Sequence, residues 1–452
     1  MVDLGMISRF KQLSQMNPRS YLVALASNYA VMVVAALVQL ILVPVYLNTI
    51  GTEGFGAATM IFSMVHVASV GLIWIDGGSA RVMAEHAAHE EWSEASNAYS
   101  LAGSIYIIYG CFVAALFMAT VAAVDSPLFL FPEKMDAEAV WILALSVSLY
   151  IVLQYDFNFQ LLAYQAAKYH WVGNLLQIFN SVFFFILAVP ALMLFGELYW
   201  VFICMVLSTL CTRWASWFGW RYTARRGAEI RYRFPNRSSM PLFRRLIGRM
   251  GVKYAIYGLL ARAGQMDAML VGWLGGTQAA GLYALLVKIP YLCVQVIWRI
   301  ASTAEPYFIH CDSRGEHQRL VQIYHKGQLI TAAASLAMGL GFALFGHWVL
   351  AFWVGETNIP QAHEAYWLAG MMIVWIGATR WPVRCAYALL KLRSLCIVTF
   401  FESAAKVSLI ILMFDSVNYL APVWAINIEF IFGVLFLYIW LGRQLATKDV
   451  KA

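Results

Sequence analysis

Charge is what this chain has least of. Asp, Glu, Lys and Arg make up 12% of its 452 residues and apolar residues 62%, against the roughly 25% charged usage of soluble domains. That composition excludes an ordinary soluble enzyme and leaves an integral membrane protein. Cysteine is sparse and unpaired in pattern: the 7 residues are odd in number, form no CxxC and fall mostly in apolar segments, where a thiol acts as a small hydrophobe. Neither a disulfide nor a metal site is expected. The first 22 residues lack the short apolar run and small-residue cleavage site of a signal peptide. Instead Leu4, Ile7, Phe10 and Leu13 line one face of a helix suited to the membrane surface, with Arg9 and Lys11 toward the headgroups. Also missing are a long external loop and any GxSxG, HExxH or DxD-type cluster. These absences make a membrane-embedded glycan-modifying enzyme the less favoured reading.

What is present is a series of apolar runs of about 20 residues, the length that crosses a hydrocarbon core of about 30 Å. Twelve are legible: 22–48, 54–78, 98–124, 138–163, 171–195, 198–222, 251–274, 280–304, 328–354, 365–390, 394–414 and 419–441. The fold class is thus all-α and polytopic, with short connections and no soluble domain. Lys and Arg set the direction, because translocated loops lack them. Placing both termini in the cytoplasm puts about 23 of the 31 basic residues there and leaves Lys134 outside. The loop 221–253 carries ten of these bases and one acid, Glu229; it reads as a topogenic linker that contacts lipid headgroups.

This loop also divides the chain into halves of six spans. An N-lobe of 1–222 and a C-lobe of 251–452 flank a basic linker, 223–250. The stretch IGTEGFGAATMIFSMV, Ile50 to Val65, is similar to LGGTQAAGLYALLVKI, Leu274 to Ile289, and aligning Gly54 with Gly281 gives an offset of 227. Two such halves, both starting inside, are related by an axis along the membrane normal, as in parallel-repeat transporters.

Ionisable residues at membrane depth are costly and face a partner, a cavity or water. Seven bases lie within spans: Arg213, Arg262, Lys288, Arg299, Arg380, Arg384 and Lys406. The acids at depth are Asp156, Asp267, Glu402 and Glu429. The surplus is cationic and suits an anion. At 1.5 Å per residue, Arg262 and Arg299 lie about 15 and 9 Å from the cytoplasmic ends of their spans, so both can meet a diphosphate, which Arg holds bidentately. Arg380 and Arg384 share a face of one span, and Lys288 lies nearer its outer end; these five are the candidate substrate-binding residues. Asp267 is the candidate coupling residue for a proton or sodium ion, with His66, Asp156 and Glu429 as further candidates. Glu402 and Lys406 stand four residues apart, and the local rule pairs them with each other. No other cofactor and no nucleic-acid partner is expected.

Asn28, Pro44, the turn IGTEGFG, the run WIDGGSARV at Trp74 to Val82 and AGLYALLVKIP at Ala280 to Pro290 together resemble a known group. It is the polysaccharide and O-antigen repeat-unit flippase family of the multidrug/oligosaccharidyl-lipid/polysaccharide (MOP) exporter superfamily. The resemblance covers essentially the whole chain by span count and motif order. It implies two six-helix lobes in a V around a central cavity, with spans 1, 2, 7 and 8 at its lateral gates. It also implies a bacterial inner-membrane protein that moves an undecaprenyl-pyrophosphate-linked oligosaccharide to the outer leaflet by alternating access. Its partners would be that glycan, membrane lipids and the glycan polymerase and chain-length machinery. The 17 Trp and 23 Tyr residues include rings able to stack on sugars besides those of the interfacial belts. An ion-coupled multidrug exporter of the same fold is the leading alternative.

Overall fold

The computed structural model describes residues 18–123, 131–232, 266–304, 308–389 and 392–433, apart from 133–134, 168, 228–229, 309–310, 313–315 and 432, together with 256, 258 and 259. Among the described residues it is helical throughout, without strands.

In chain order the helices are α1 (Pro18–Thr49), α2 (Gly51–Ala68), α3 (Ile73–Ala88), α4 (Trp92–Ala123), α5 (Ala137–Ala166), α6 (His170–Phe195) and α7 (Leu198–Arg225). Then come α8 (Asp267–Thr303), α9 (His317–Val354), α10 (His363–Ala388), α11 (Leu392–Val417) and α12 (421–431). A 3₁₀ turn, Ser69–Leu72, joins α2 to α3, so the second expected span, 54–78, is helical throughout with a change of helix type within it. Among the described residues nine helical stretches are long and apolar enough to cross a membrane. Two of these, Asp267–Ser302 and Arg393–Ile431, each hold a break. The first breaks at Gly276, with φ 80° and ψ 176°; the second at Asn418, with φ 52°. These breaks fall between the expected spans 7 and 8 and between 11 and 12.

Lipid is the solvent that explains the surface. Leu194, Leu412 and Phe352 are 76%, 76% and 95% exposed, an arrangement that water would penalise and hydrocarbon does not. Pro44, Pro190, Pro290 and Pro382 sit inside helices, tolerated because neighbouring helices and side chains re-satisfy the freed carbonyls.

The chain forms two compact units, one from residues 1–42, 75–118 and 142–248, the other from 43–74, 119–141 and 249–452. In the first, α5 and α7 are joined by a polar chain. Asp156 pairs with Arg213, Gln160 donates to Asp156 Oδ2 at 2.7 Å, and Ser216 donates to Gln160 Oε1 at 2.9 Å. Tyr164 donates to the Ser216 carbonyl at 2.9 Å and stacks on Trp220 at 4.1 Å. Asn174 donates to Asn28 Oδ1 at 2.9 Å, tying α6 to α1. After α7 the chain returns along α4: the Arg231 amide donates to Ser96 Oγ at 3.0 Å, and Tyr232 meets Ser104 at 2.7 Å.

In the second unit, α2 packs along α8. A side chain at Gly56 would collide with the Thr277 carbonyl, and one at Gly281 with the Thr52 carbonyl. The contact is reciprocal, and Thr52 to Thr277 and Gly56 to Gly281 are separated by the same 225 residues. Gly51 and Gly276, at the same spacing, both have left-handed backbones, φ 72° and 80°, which only glycine adopts without strain. The equivalence is therefore GTEGFG with GTQAAG, two residues away from the register in which Gly54 matches Gly281. The identity of Gly54 and Gly281 misleads because Gly54 lies beside Ile50 of its own chain segment, whereas Gly56 makes the interhelical approach.

Candidate functional site

Asp267 opens α8 and is 3% exposed. Its Oδ1 stands 2.7 Å from Lys406 Nζ on α11. Its Oδ2 accepts from Tyr283 at 2.9 Å and from Tyr291 at 3.4 Å, both on the far side of the Gly276 break. The break folds α8 back so that one helix supplies the carboxylate and both hydroxyls. Lys406 thus bridges to Asp267 and not to Glu402, which corrects the local pairing expected from their spacing. The reason is burial: Lys406 is 5% exposed, and a buried ammonium is held by a carboxylate with its own donors.

Around this pair lie more charges. Glu402 on α11 is within electrostatic reach of Arg380 on α10 and of Lys406. Glu429 on α12, 7% exposed, is within reach of Lys406, Glu402 and Asp267. Buried oxygens Glu402 Oε1 and Glu429 Oε2 have no hydrogen-bond partner among the described residues. Among the described residues three carboxylates face two cations here, so that set is one positive charge short. A proton or a monovalent cation on the two glutamates balances it, and their bare oxygens fit either ion.

A second feature opens beside Arg380. Trp298 of α8 and Arg380, Val383, Arg384 and Tyr387 of α10 line a cavity of about 230 Å³. The Arg384 guanidinium lies over the Trp298 ring at 4.7 Å and the Tyr387 ring at 5.9 Å. The Arg299 guanidinium lies 5.2 Å from the same indole. A guanidinium stacked on a ring directs its N–H groups outward in its own plane, a geometry that fits phosphate or carboxylate.

Arg299, Arg380 and Arg384 therefore gather around one tryptophan. Arg262 lies outside the described residues. Lys288 is partly buried on α8, eleven residues from Arg299. Among the coupling candidates, Asp267 and Glu429 share the buried group. Asp156 belongs to the Arg213 pair in the other unit, and His66 has an exposed side chain on α2. Tyr283, Tyr291 and Trp298 were not legible as site residues. Tyr283 sits in the GLYALLVKI motif, but its place beside Asp267 depends on the break at Gly276.

No protein-family model and no curated protein sequence matches the chain. Solved structures do. One described as the inward-facing conformation of a multidrug resistance MATE family transporter of the MOP superfamily has a TM-score of 0.72 at 15% identity, over 93% of this chain and 96% of that one. The fold is that of a MOP-superfamily transporter. The outward-facing conformation of a transporter so described gives 0.64 at 14% identity, over 94% and 96%. A MOP superfamily transporter from Pyrococcus furiosus, whose description says that reversed polarity of its binding pocket suggests a different function, gives 0.62 at 15% identity, over 94% and 95%. The MOP fold is a two-lobe, multi-pass helical architecture, and the solved chains similar to this one are transporters rather than enzymes.

Proposed function

We propose that this chain is an ion-coupled exporter of the MOP type, with its halves 1–222 and 251–452 as the moving bodies. The observation that carries the reading is the group of Asp267, Glu402 and Glu429 with Lys406 and Arg380. A cluster one cation short that can load and release a proton or sodium ion changes its charge by one unit per cycle. That change biases a two-state protein if the two states differ in affinity for the ion. The ion-coupled multidrug exporter reading follows most directly from the likeness in fold, and its cargo would be an amphipathic organic compound.

A second cargo is favoured by the cavity at Trp298. Three arginines around one indole suit an anionic headgroup better than the cationic or neutral compounds of a drug exporter, as a lipid-linked oligosaccharide on a diphosphate would require. In that reading the protein sits in a bacterial inner membrane with both termini cytoplasmic and works beside a glycan polymerase.

Transport into proteoliposomes under imposed pH or sodium gradients tests the coupling. Wild-type protein should respond to one of the two gradients, and Glu429→Gln and Glu402→Gln should lose that response while still binding cargo. An unchanged gradient response in both variants overturns the proposal. Competition by a prenyl diphosphate or by a lipophilic cation then separates the two cargoes.

A further inference from the structure

The outer face of α7 carries an ordered gradient of chemistry. Leu207, Leu210, Trp214, Trp217 and Phe218 are exposed, at 44%, 45%, 69%, 47% and 49%, and Arg221 and Arg225 are exposed beyond them. At 100° per residue these seven positions fall within one stripe of about 100°. Along it the chemistry changes from aliphatic to aromatic to cationic. From residue 210 to the midpoint of the arginines near 223 the stripe runs about 20 Å, close to one leaflet of a bilayer about 40–45 Å thick with its headgroups.

The cationic end is built. Arg221 lies over the Trp217 ring at 3.4 Å, which fixes the plane of its guanidinium. Arg226 lies over Tyr222 at 4.7 Å, and Tyr222 is braced edge-on by Trp171 of α6 at 5.5 Å. No Asp or Glu occurs between residues 198 and 228, so within this stretch nothing competes for the arginines. Stacking leaves the in-plane donors of Arg221 to fork a phosphodiester, while Arg225 lies one turn further on the same stripe.

We infer that this face of α7 is a binding site for an anionic phospholipid, with an acyl chain along Leu207, Leu210 and Trp214 and the phosphate between Arg221 and Arg225. The inference rests on the membrane-spanning fold and not on the choice of cargo. A zwitterionic lipid has the same chains but its own cation near the phosphate, and the paired arginines disfavour it. The purpose of the site is registration, since the helix is held at a set depth in the leaflet and the basic linker that follows starts at the headgroup plane.

Native mass spectrometry of the purified full chain, delipidated and then offered equal phosphatidylglycerol and phosphatidylcholine, tests it. Wild-type protein should retain phosphatidylglycerol by at least about fivefold over phosphatidylcholine, and Arg221→Gln/Arg225→Gln should fall near parity. Arg244→Gln/Arg245→Gln, which removes two charges from the linker instead, should keep the preference. Arg221→Lys/Arg225→Lys should keep only part of it, because ammonium cannot fork a phosphate. The inference is overturned by parity in the wild type, by an undiminished preference in Arg221→Gln/Arg225→Gln, or by an equal loss in the linker variant.

Discussion

Lys406 Nζ stands 2.7 Å from Asp267 Oδ1, with both residues at least 95% buried. The pair joins helices that begin 125 residues apart, and it decides how substitutions in this region behave. Breaking a buried pair on one side leaves an uncompensated charge and costs roughly 3–5 kcal/mol, whereas removing both partners costs far less. Lys406→Met should therefore lower the thermal unfolding temperature in detergent sharply, and Asp267→Asn/Lys406→Met should recover most of the loss. If the double variant is as unstable as Lys406→Met alone, the pair is not what holds α8 to α11.

The seam between α2 and α8 leaves no room for a methyl group. Gly56→Ala and Gly281→Ala should each force a carbonyl aside and cost about 1–3 kcal/mol, the usual penalty of overpacking. Gly54→Ala meets Ile50 Cβ of its own chain segment and not the backbone of a facing helix, so the shift stays within the turn before α2 and should cost less. Thermal unfolding of the three variants in one detergent gives the ranking, and equal losses for all three would contradict the reciprocal contact.

Much of the fold was legible and much of the site was not, for one physical reason. Spans and their order follow from local apolar length, and the breaks at Gly276 and Asn418 fall between the runs expected as separate helices. Pairings inside the membrane are set by which buried charges meet across helices. Lys406 sits four residues from Glu402, a spacing that stabilises pairs on an exposed helix. In the protein interior the competition is won by Asp267, with two tyrosine hydroxyls already in place. Trp298 could not be separated from sixteen other tryptophans until Arg384 was seen over its ring.

The cavity at Trp298 makes a graded prediction for an anionic cargo. Arg384→Gln should weaken binding of a prenyl diphosphate by about tenfold, in line with the loss of one hydrogen bond to a charged group, and Arg384→Lys by less. Microscale thermophoresis in detergent reads both. Unaltered affinity in Arg384→Gln would move the anion elsewhere.

Topology is checked with the chain's own chemistry. All seven cysteines are free, so a cysteine-free background is reached by substitution alone. A single cysteine placed at position 237 should resist a membrane-impermeant maleimide in intact spheroplasts and react after lysis, because a loop with ten basic residues stays on the cytoplasmic side. Labelling before lysis would invert the orientation.

The α2 and α8 contact has the form of an isologous interface. Each element offers the other a glycine and a threonine carbonyl, as the same patch does on two copies of one subunit. A six-span polypeptide bearing a single GTxxxG turn would already carry both halves of that contact and would meet its own copy through it. The two turns in this chain are then a dimer interface held within one polypeptide. Their divergence follows from that: Glu53 and its counterpart Gln278 differ in type, while the glycines whose backbones must touch remain on both sides.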